Sequence, residues 1–170
     1  MKRAVFLDRD GTLVEDPGYL HDPENVVWKE GVLDGLRTLK EAGHLLIVVT
    51  NQSGIGRGLF TIGDTNAVHA RMQEEAARAG CALDAYYNCP HVPEDVCACR
   101  KPNAGMLMQA AREHDIDLAS SWFIGDRCTD ILSGQRAGVR TILIGTGRCL
   151  PEPDYVCDGF AAAAQTALER

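Results

Sequence analysis

Two carboxylates stand two residues apart in Asp8-Arg9-Asp10-Gly11-Thr12-Leu13, and in an extended chain positions i and i+2 share one side. Gly11 lets the backbone turn away just after the pair. Further along come the hydroxyl of Thr50, the ammonium of Lys101, and a second acid pair, Asp126 and Asp130. Together these groups suit phosphoryl transfer. A carboxylate such as Asp8 can attack phosphorus in line and split one hard displacement into two easier ones. The phosphate's own charge repels that attack unless a cation bridges the two. Mg²⁺ takes near-octahedral oxygen coordination with few carboxylates, a demand that Asp8, the Asp10 backbone carbonyl and Asp126 would meet. Thr50 and Lys101 would hold the other phosphoryl oxygens, where charge builds up. Asp10 would protonate the departing alkoxide and later deprotonate the attacking water. Asp130 has two readings: it orients Lys101 or the metal's waters, or it faces solvent.

These groups are far apart in the chain, so the fold must gather them. Ala4–Leu7, Leu45–Val49, Trp122–Ile124 and Thr141–Ile144 are short, near-continuous apolar runs, the pattern of parallel strands covered on both faces. Helical stripes lie between them: Val32, Leu36 and Leu39 within Gly31–Ala42, closed by Gly43; Ala67–Ala79, closed by Gly80; and Met106, Leu107, Ala110 and Ala111. A short helix ends at Ala137-Gly138, and the Ala-rich tail Gly159–Arg170 reads as a last one. Alternating strands and helices predict one doubly wound α/β domain over residues 1–170, with ligands beyond the carboxyl ends of the strands. The acid pairs, Thr50 and Lys101 all fall at such ends or at the start of the next element.

Composition excludes some partners. The net charge is −7, which argues against nucleic acid or anionic membrane, since both reward clustered Lys and Arg. No apolar run reaches the ~18 residues of a membrane span, and the start lacks the apolar stretch of an export signal. A cytoplasmic monomer is expected. Seven cysteines in such a chain point to metal or free thiols rather than disulfides, with Cys149 and Cys157 able to pair only under oxidation. Cys89-Pro90-His91 and Cys97-Ala98-Cys99 place four zinc ligands within eleven residues. Three thiolates and one imidazole make a closed tetrahedral set. Such a clip would fold the loop carrying Arg100 and Lys101 toward the site. His44, His69 and His114 read as surface or satisfied helix residues, and His21 sits in a loop just beyond the nucleophile.

In order, the segments at Asp8, Thr50, Lys101 and Asp126 resemble the four motifs of the haloacid dehalogenase superfamily, across nearly the whole chain. The resemblance implies Asp8 as nucleophile, Asp10 as acid/base and Asp126 as a magnesium ligand. An Asp at position 10 is similar to the phosphatases and mutases rather than the ion pumps. The short spacings leave no room for a cap domain, so the site should be open. Asp16-Pro17-Gly18-Tyr19-Leu20-His21, Thr50 to Gly58 and the Cys/His segment resemble the heptose 1,7-bisphosphate 7-phosphatases. That likeness implies that Asp16, Pro17, Gly18 and Tyr19, together with Thr50, Asn51, Gln52 and Ser53, line the substrate pocket, and that Arg100 recognises substrate. A sugar bisphosphate brings a second phosphate, for which Arg57, Arg100 and Arg127 supply bidentate cations. The same zinc-containing branch holds the histidinol-phosphate phosphatases, which Gly125–Ile131 resembles as much. Against them, extra arginines would repel a cationic substrate. A non-catalytic phosphosugar-binding module would have lost the nucleophile or a metal ligand, and both are present.

Overall fold

The computed structural model describes residues 1–170. Its strands are β1 (Ala4–Leu7), β2 (Leu45–Asn51), β3 (Ala85–Cys89), β4 (Trp122–Gly125), β5 (Arg140–Ile144) and β6 (Tyr155–Cys157). They form one sheet in the order β3-β2-β1-β4-β5-β6, parallel at every step. The helices are α1 (Val32–Glu41), α2 (Ser53–Gly56), α3 (Ile62–Arg78), α4 (Gly105–His114), α5 (Cys128–Ala137) and α6 (Phe160–Glu169). This is the doubly wound arrangement expected from the alternating runs.

Strand alternation sorts the core into two layers. Val5, Leu7, Leu46, Val48, Trp122 and Ile124 pack on α1, α3 and α6, whereas Ala4, Phe6, Ile47, Val49 and Phe123 face α4. Burial on both faces is why these strands read as continuous apolar runs. Gly43 and Gly138 follow or cap their helices with φ of 85° and 82°, the left-handed geometry that closes a helix. Helix α3 starts five residues earlier than its apolar stripe suggested, because Thr61 and Asp64 form a capping box. The unanticipated strands, β3 and β6, are the two sheet edges. Their residues are mostly half-buried, so no continuous apolar run marks them.

One expectation about cysteine is corrected. Cys128 and Cys149 form a disulfide, with Cα atoms 5.3 Å apart, and Cys157 is free. The segment after β5 folds back over the first turn of α5, where Cys149 packs with Ile131 and Leu143. Only that return brings the two sulfurs together. The bond closes a separation of 21 residues, worth about 3 kcal/mol by the loop-closure argument. The double variant Cys128→Ala/Cys149→Ala is therefore expected to melt roughly 8 °C lower. Reduced wild type should match it, and an unchanged melting temperature would remove the disulfide from the stability of the fold.

Candidate active site

The strand order reverses between β1 and β4, and at that switch point the chain places its acid groups. Asp8 directly follows β1, and Asp126 directly follows β4. Lys101 reaches them from the loop before α4. Its Nζ donates to Asp8 Oδ1 at 2.6 Å and to the Val49 carbonyl at 3.0 Å, and it lies 2.7 Å from Asp130 Oδ1. Asp8, Lys101 and Asp130 are all buried. Asp130 thus orients Lys101 rather than facing solvent, and it also accepts from the Arg127 backbone N–H at 3.0 Å as the first-turn acid of α5. Burial, then the Asp130 carboxylate, push Asp8 up to about 6 against the pull of Lys101. Burial alone would lower Lys101, but Asp130 and Asp8 outweigh it and hold the ammonium above its ordinary range. Asn51 locks the backbone of Lys101 from both sides, accepting from its N–H at 3.0 Å and donating to its carbonyl at 3.1 Å.

Asp126 sits beside this pair. Thr12 Oγ1 donates to Asp126 Oδ1 at 3.0 Å and lies 3.5 Å from Asp8 Oδ2. Burial and the neighbouring Asp8 raise Asp126 to about 6 as well. Gly11 has φ 83°, and a Cβ there would stand 2.4 Å from Asp126 Oδ2, so both conformation and space demand glycine. Oxygens of Asp8, Asp126 and Asp130 lie within 4.8 Å of one another. Only one ammonium answers three carboxylates at this point. An all-oxygen donor set with surplus negative charge fits a hard divalent cation.

Asp10 is held differently. Arg9 forks onto it, with Nε 2.9 Å from Oδ1 and Nη2 3.1 Å from Oδ2. Gln52 Nε2 donates to Asp10 Oδ2 and to Thr50 Oγ1, each at 2.8 Å. Thr50 is buried, so Gln52 couples it to Asp10. Neither Arg9 nor Thr12 stands out in sequence as a site residue. A signal for Arg9 existed: a residue between two carboxylates on a strand end points to the opposite face, and a charge there must be paired.

Above these groups lies an open cleft of about 470 Å³, lined mainly by polar and charged side chains. Asp16, Gly18, Tyr19, Asn51, Gln52, Ser53, Arg100 and Arg127 line it together with Asp8, Asp10, Lys101 and Asp130. Arg127 Nη2 reaches Asp16 Oδ2 at 3.1 Å across the mouth, and Asp16 Oδ1 accepts from the Gly18 N–H at 2.9 Å. Three expected contacts fall outside the lining: Thr50 is buried and meets the site through Gln52, and two others are exposed. Pro17 is exposed on the turn, and Arg57 is exposed at the end of α2. Arg57 cannot be read from its neighbours in sequence, because α2 is a single turn that carries it past the cleft. His21 also stays outside, stacked on Phe60 with ring centroids 5.5 Å apart.

Between β3 and α4, Cys89, His91, Cys97 and Cys99 converge, their ligand atoms all within 4.8 Å. The Cys89–Cys97 and Cys97–Cys99 sulfur separations are 3.8 and 3.7 Å, close to the ~3.8 Å edge of a tetrahedron with 2.3 Å metal–sulfur bonds. The Cys89–Cys99 edge is shorter, 2.7 Å. Burial raises the Cys89 and Cys99 thiols, so a cation is what would make them thiolates. The four donors fit a closed metal site. It bears on the cleft directly: Arg100 donates its backbone N–H to Cys97 Sγ at 3.4 Å and its Nη1 to the His91 carbonyl at 3.2 Å.

Comparison with known proteins agrees with this geometry. A HAD-hydrolase-like family model matches residues 98–163. The D-glycero-beta-D-manno-heptose-1,7-bisphosphate 7-phosphatase of Yersinia pestis is 43% identical over 94% of this chain and 87% of its own. The protein of the same name from Escherichia coli K12 is 42% identical over 91% of this chain and 86% of its own. The crystal structure of D,D-heptose 1,7-bisphosphate phosphatase from B. bronchiseptica, complexed with magnesium and phosphate, superposes with a TM-score of 0.89 at 35% identity, covering 98% of each chain. No helix is long and apolar enough to cross a membrane. With its paired carboxylates at the switch point and relatives matched over most of its length, this chain belongs to the haloacid dehalogenase superfamily and, within it, to the heptose-1,7-bisphosphate 7-phosphatase family.

Proposed function

We propose that residues 1–170 act as one phosphatase domain that removes the 7-phosphate of D-glycero-D-manno-heptose 1,7-bisphosphate, leaving heptose 1-phosphate for nucleotide-activated heptose biosynthesis. The observation that carries this reading is the buried Asp8, held at the cleft floor by Lys101 beside Asp126, with Arg100 and Arg127 around the mouth. The names of the relatives support the substrate, and they favour its β anomer. A cytoplasmic, monomeric enzyme acting on a small sugar phosphate is the setting that goes with it.

In the first half-reaction an Asp8 oxygen attacks phosphorus in line and the phosphorus–O7 bond breaks. The electron pair stays on the sugar oxygen, which takes a proton from Asp10. In the second, Asp10 takes a proton from water as that water attacks the aspartyl-phosphate, freeing inorganic phosphate and Asp8. Lys101 neutralises charge on Asp8 and on the transferring group, and Asp130 keeps the ammonium in place. Asp8, Asp126 and the Asp10 carbonyl would hold Mg²⁺, whose charge offsets the repulsion between carboxylate and phosphate. Cys89, His91, Cys97 and Cys99 would hold a structural Zn²⁺ with no open coordination position. Arg100 and Arg127 would receive the 1-phosphate through their planar forks.

The test is phosphate release with Mg²⁺ on heptose 1,7-bisphosphate, both anomers, against histidinol phosphate. The sugar bisphosphate is expected to win in kcat/KM by about a hundredfold or more, roughly 2.7 kcal/mol of transition-state discrimination. A preference for histidinol phosphate would leave the chemistry of Asp8 intact and overturn the reading of Arg100 and Arg127.

A further inference from the structure

Arg9 is completely buried. A guanidinium removed from water costs several kcal/mol unless its N–H groups find partners, and here they do. Beyond the fork onto Asp10, Nη2 donates to the Leu20 carbonyl at 3.1 Å, and Nη1 lies 3.2 Å from Nε2 of His69. A guanidinium nitrogen has no acceptor to offer, so His69 accepts through Nε2 and its ring is neutral. His69 comes from α3 and is itself buried, its ring stacked on Tyr86 of β3 with centroids 4.6 Å apart. Arg9 and His69 do not line the cleft. They meet its chemistry only through Asp10.

We propose that Arg9, braced by His69, is the positioning residue that aims the Asp10 carboxylate for proton transfer. The inference rests on Asp10 being the acid/base group. Gln52 engages only one Asp10 oxygen, which leaves the carboxylate able to swing about that contact, whereas a fork that engages both oxygens fixes its plane. Misaiming Asp10 should then harm the breaking of a bond whose leaving oxygen needs a proton. It should spare an ester whose leaving group departs as a stable anion.

The experiment measures kcat/KM, which covers steps through leaving-group departure, on two esters: the better substrate from the comparison above, and p-nitrophenyl phosphate. The readout is the ratio of the two constants. In His69→Leu, which removes the acceptor, the ratio is expected to fall about tenfold. In His69→Gln, whose amide oxygen can stand where Nε2 stood, it should stay within about threefold of wild type. Arg9→Lys keeps the charge but cannot bridge both Asp10 oxygens, so its ratio should fall at least as far as that of His69→Leu, and it decides the matter if His69→Leu does not fold. Equal loss on both esters in Arg9→Lys, or equal behaviour of His69→Leu and His69→Gln, overturns the proposal. Asp10→Asn separates the two levels. If it keeps full activity, the acid/base reading itself fails; if it is crippled on the sugar ester while the Arg9 and His69 ratios hold, only the positioning role fails.

Discussion

Asp8→Asn is expected to lower kcat by at least about 10⁴-fold, the scale on which loss of a catalytic nucleophile acts, without unfolding the protein. An amide oxygen or nitrogen cannot form the acyl-phosphate, and neither Asp126 nor Asp10 contacts Lys101 as Asp8 does. The stability expectation has the opposite sign. Asp8 is raised from 3.8 to about 6 in the fold, so the native state binds its proton more tightly than the unfolded chain does. Between those pH values stability falls as pH rises, and above 6 the ionised carboxylate carries the full penalty, on the order of 3 kcal/mol. In metal-free protein at pH 8, Asp8→Asn should therefore melt at or above the wild-type temperature. It should also lose part of the decline that wild type shows between pH 4 and 6. Radiolabelled substrate and acid quench should trap label on wild type and none on the variant. Substantial turnover in Asp8→Asn would refute the covalent route, and a melt well below wild type would place Asp8 in the structure rather than the chemistry.

Removing the metal from the Cys/His site is expected to have the second-largest effect. One zinc per chain should be found in protein prepared without chelator. Its loss would remove the one group that binds all four donors at once, of which only Cys89 is buried. The larger apolar layer, on α1, α3 and α6, lies away from that loop, and only the layer facing α4 touches it, through Cys89, Cys97 and Cys99, so the protein should stay folded but melt roughly 10 °C lower. Activity should fall further than stability, by about a hundredfold or more. The reason is the chain path: Arg100 hangs from Cys97 and His91, and Lys101 follows it directly. Once the clip opens, Lys101 no longer arrives at Asp8 and Asp130 with its backbone held by Asn51. Zinc should restore activity in stripped protein where added Mg²⁺ alone does not. Full activity in protein free of zinc would show that the loop holds its shape unaided.

Much of this protein is legible in its sequence because the information is local. Four buried strands announce themselves as apolar runs, since parallel strands covered on both faces have no polar side to interrupt them. Asp8 and Asp10 declare themselves by their two-residue spacing at a strand end, and the Cys/His ligands by lying within eleven residues of one another. In each case the side chains that act together are neighbours along the chain, and backbone geometry alone sets their relation.

What the tertiary structure decided involves partners brought together from distant segments. The disulfide joins Cys128 to Cys149 only because the segment after β5 returns over α5. Asp130 had two readings until the fold put its carboxylate 2.7 Å from Lys101 Nζ, because a first-turn helix acid can face solvent or the site with the same sequence around it. Arg57 and Arg100 are both loop arginines in sequence, yet one is exposed past a single helical turn and the other is held in the cleft by the cysteine loop. In sequence Arg9 is only the residue between two acids. It became a buried fork once α3 supplied His69 from 60 residues away, since a charge inside a fold is admitted only where the fold itself provides its partners.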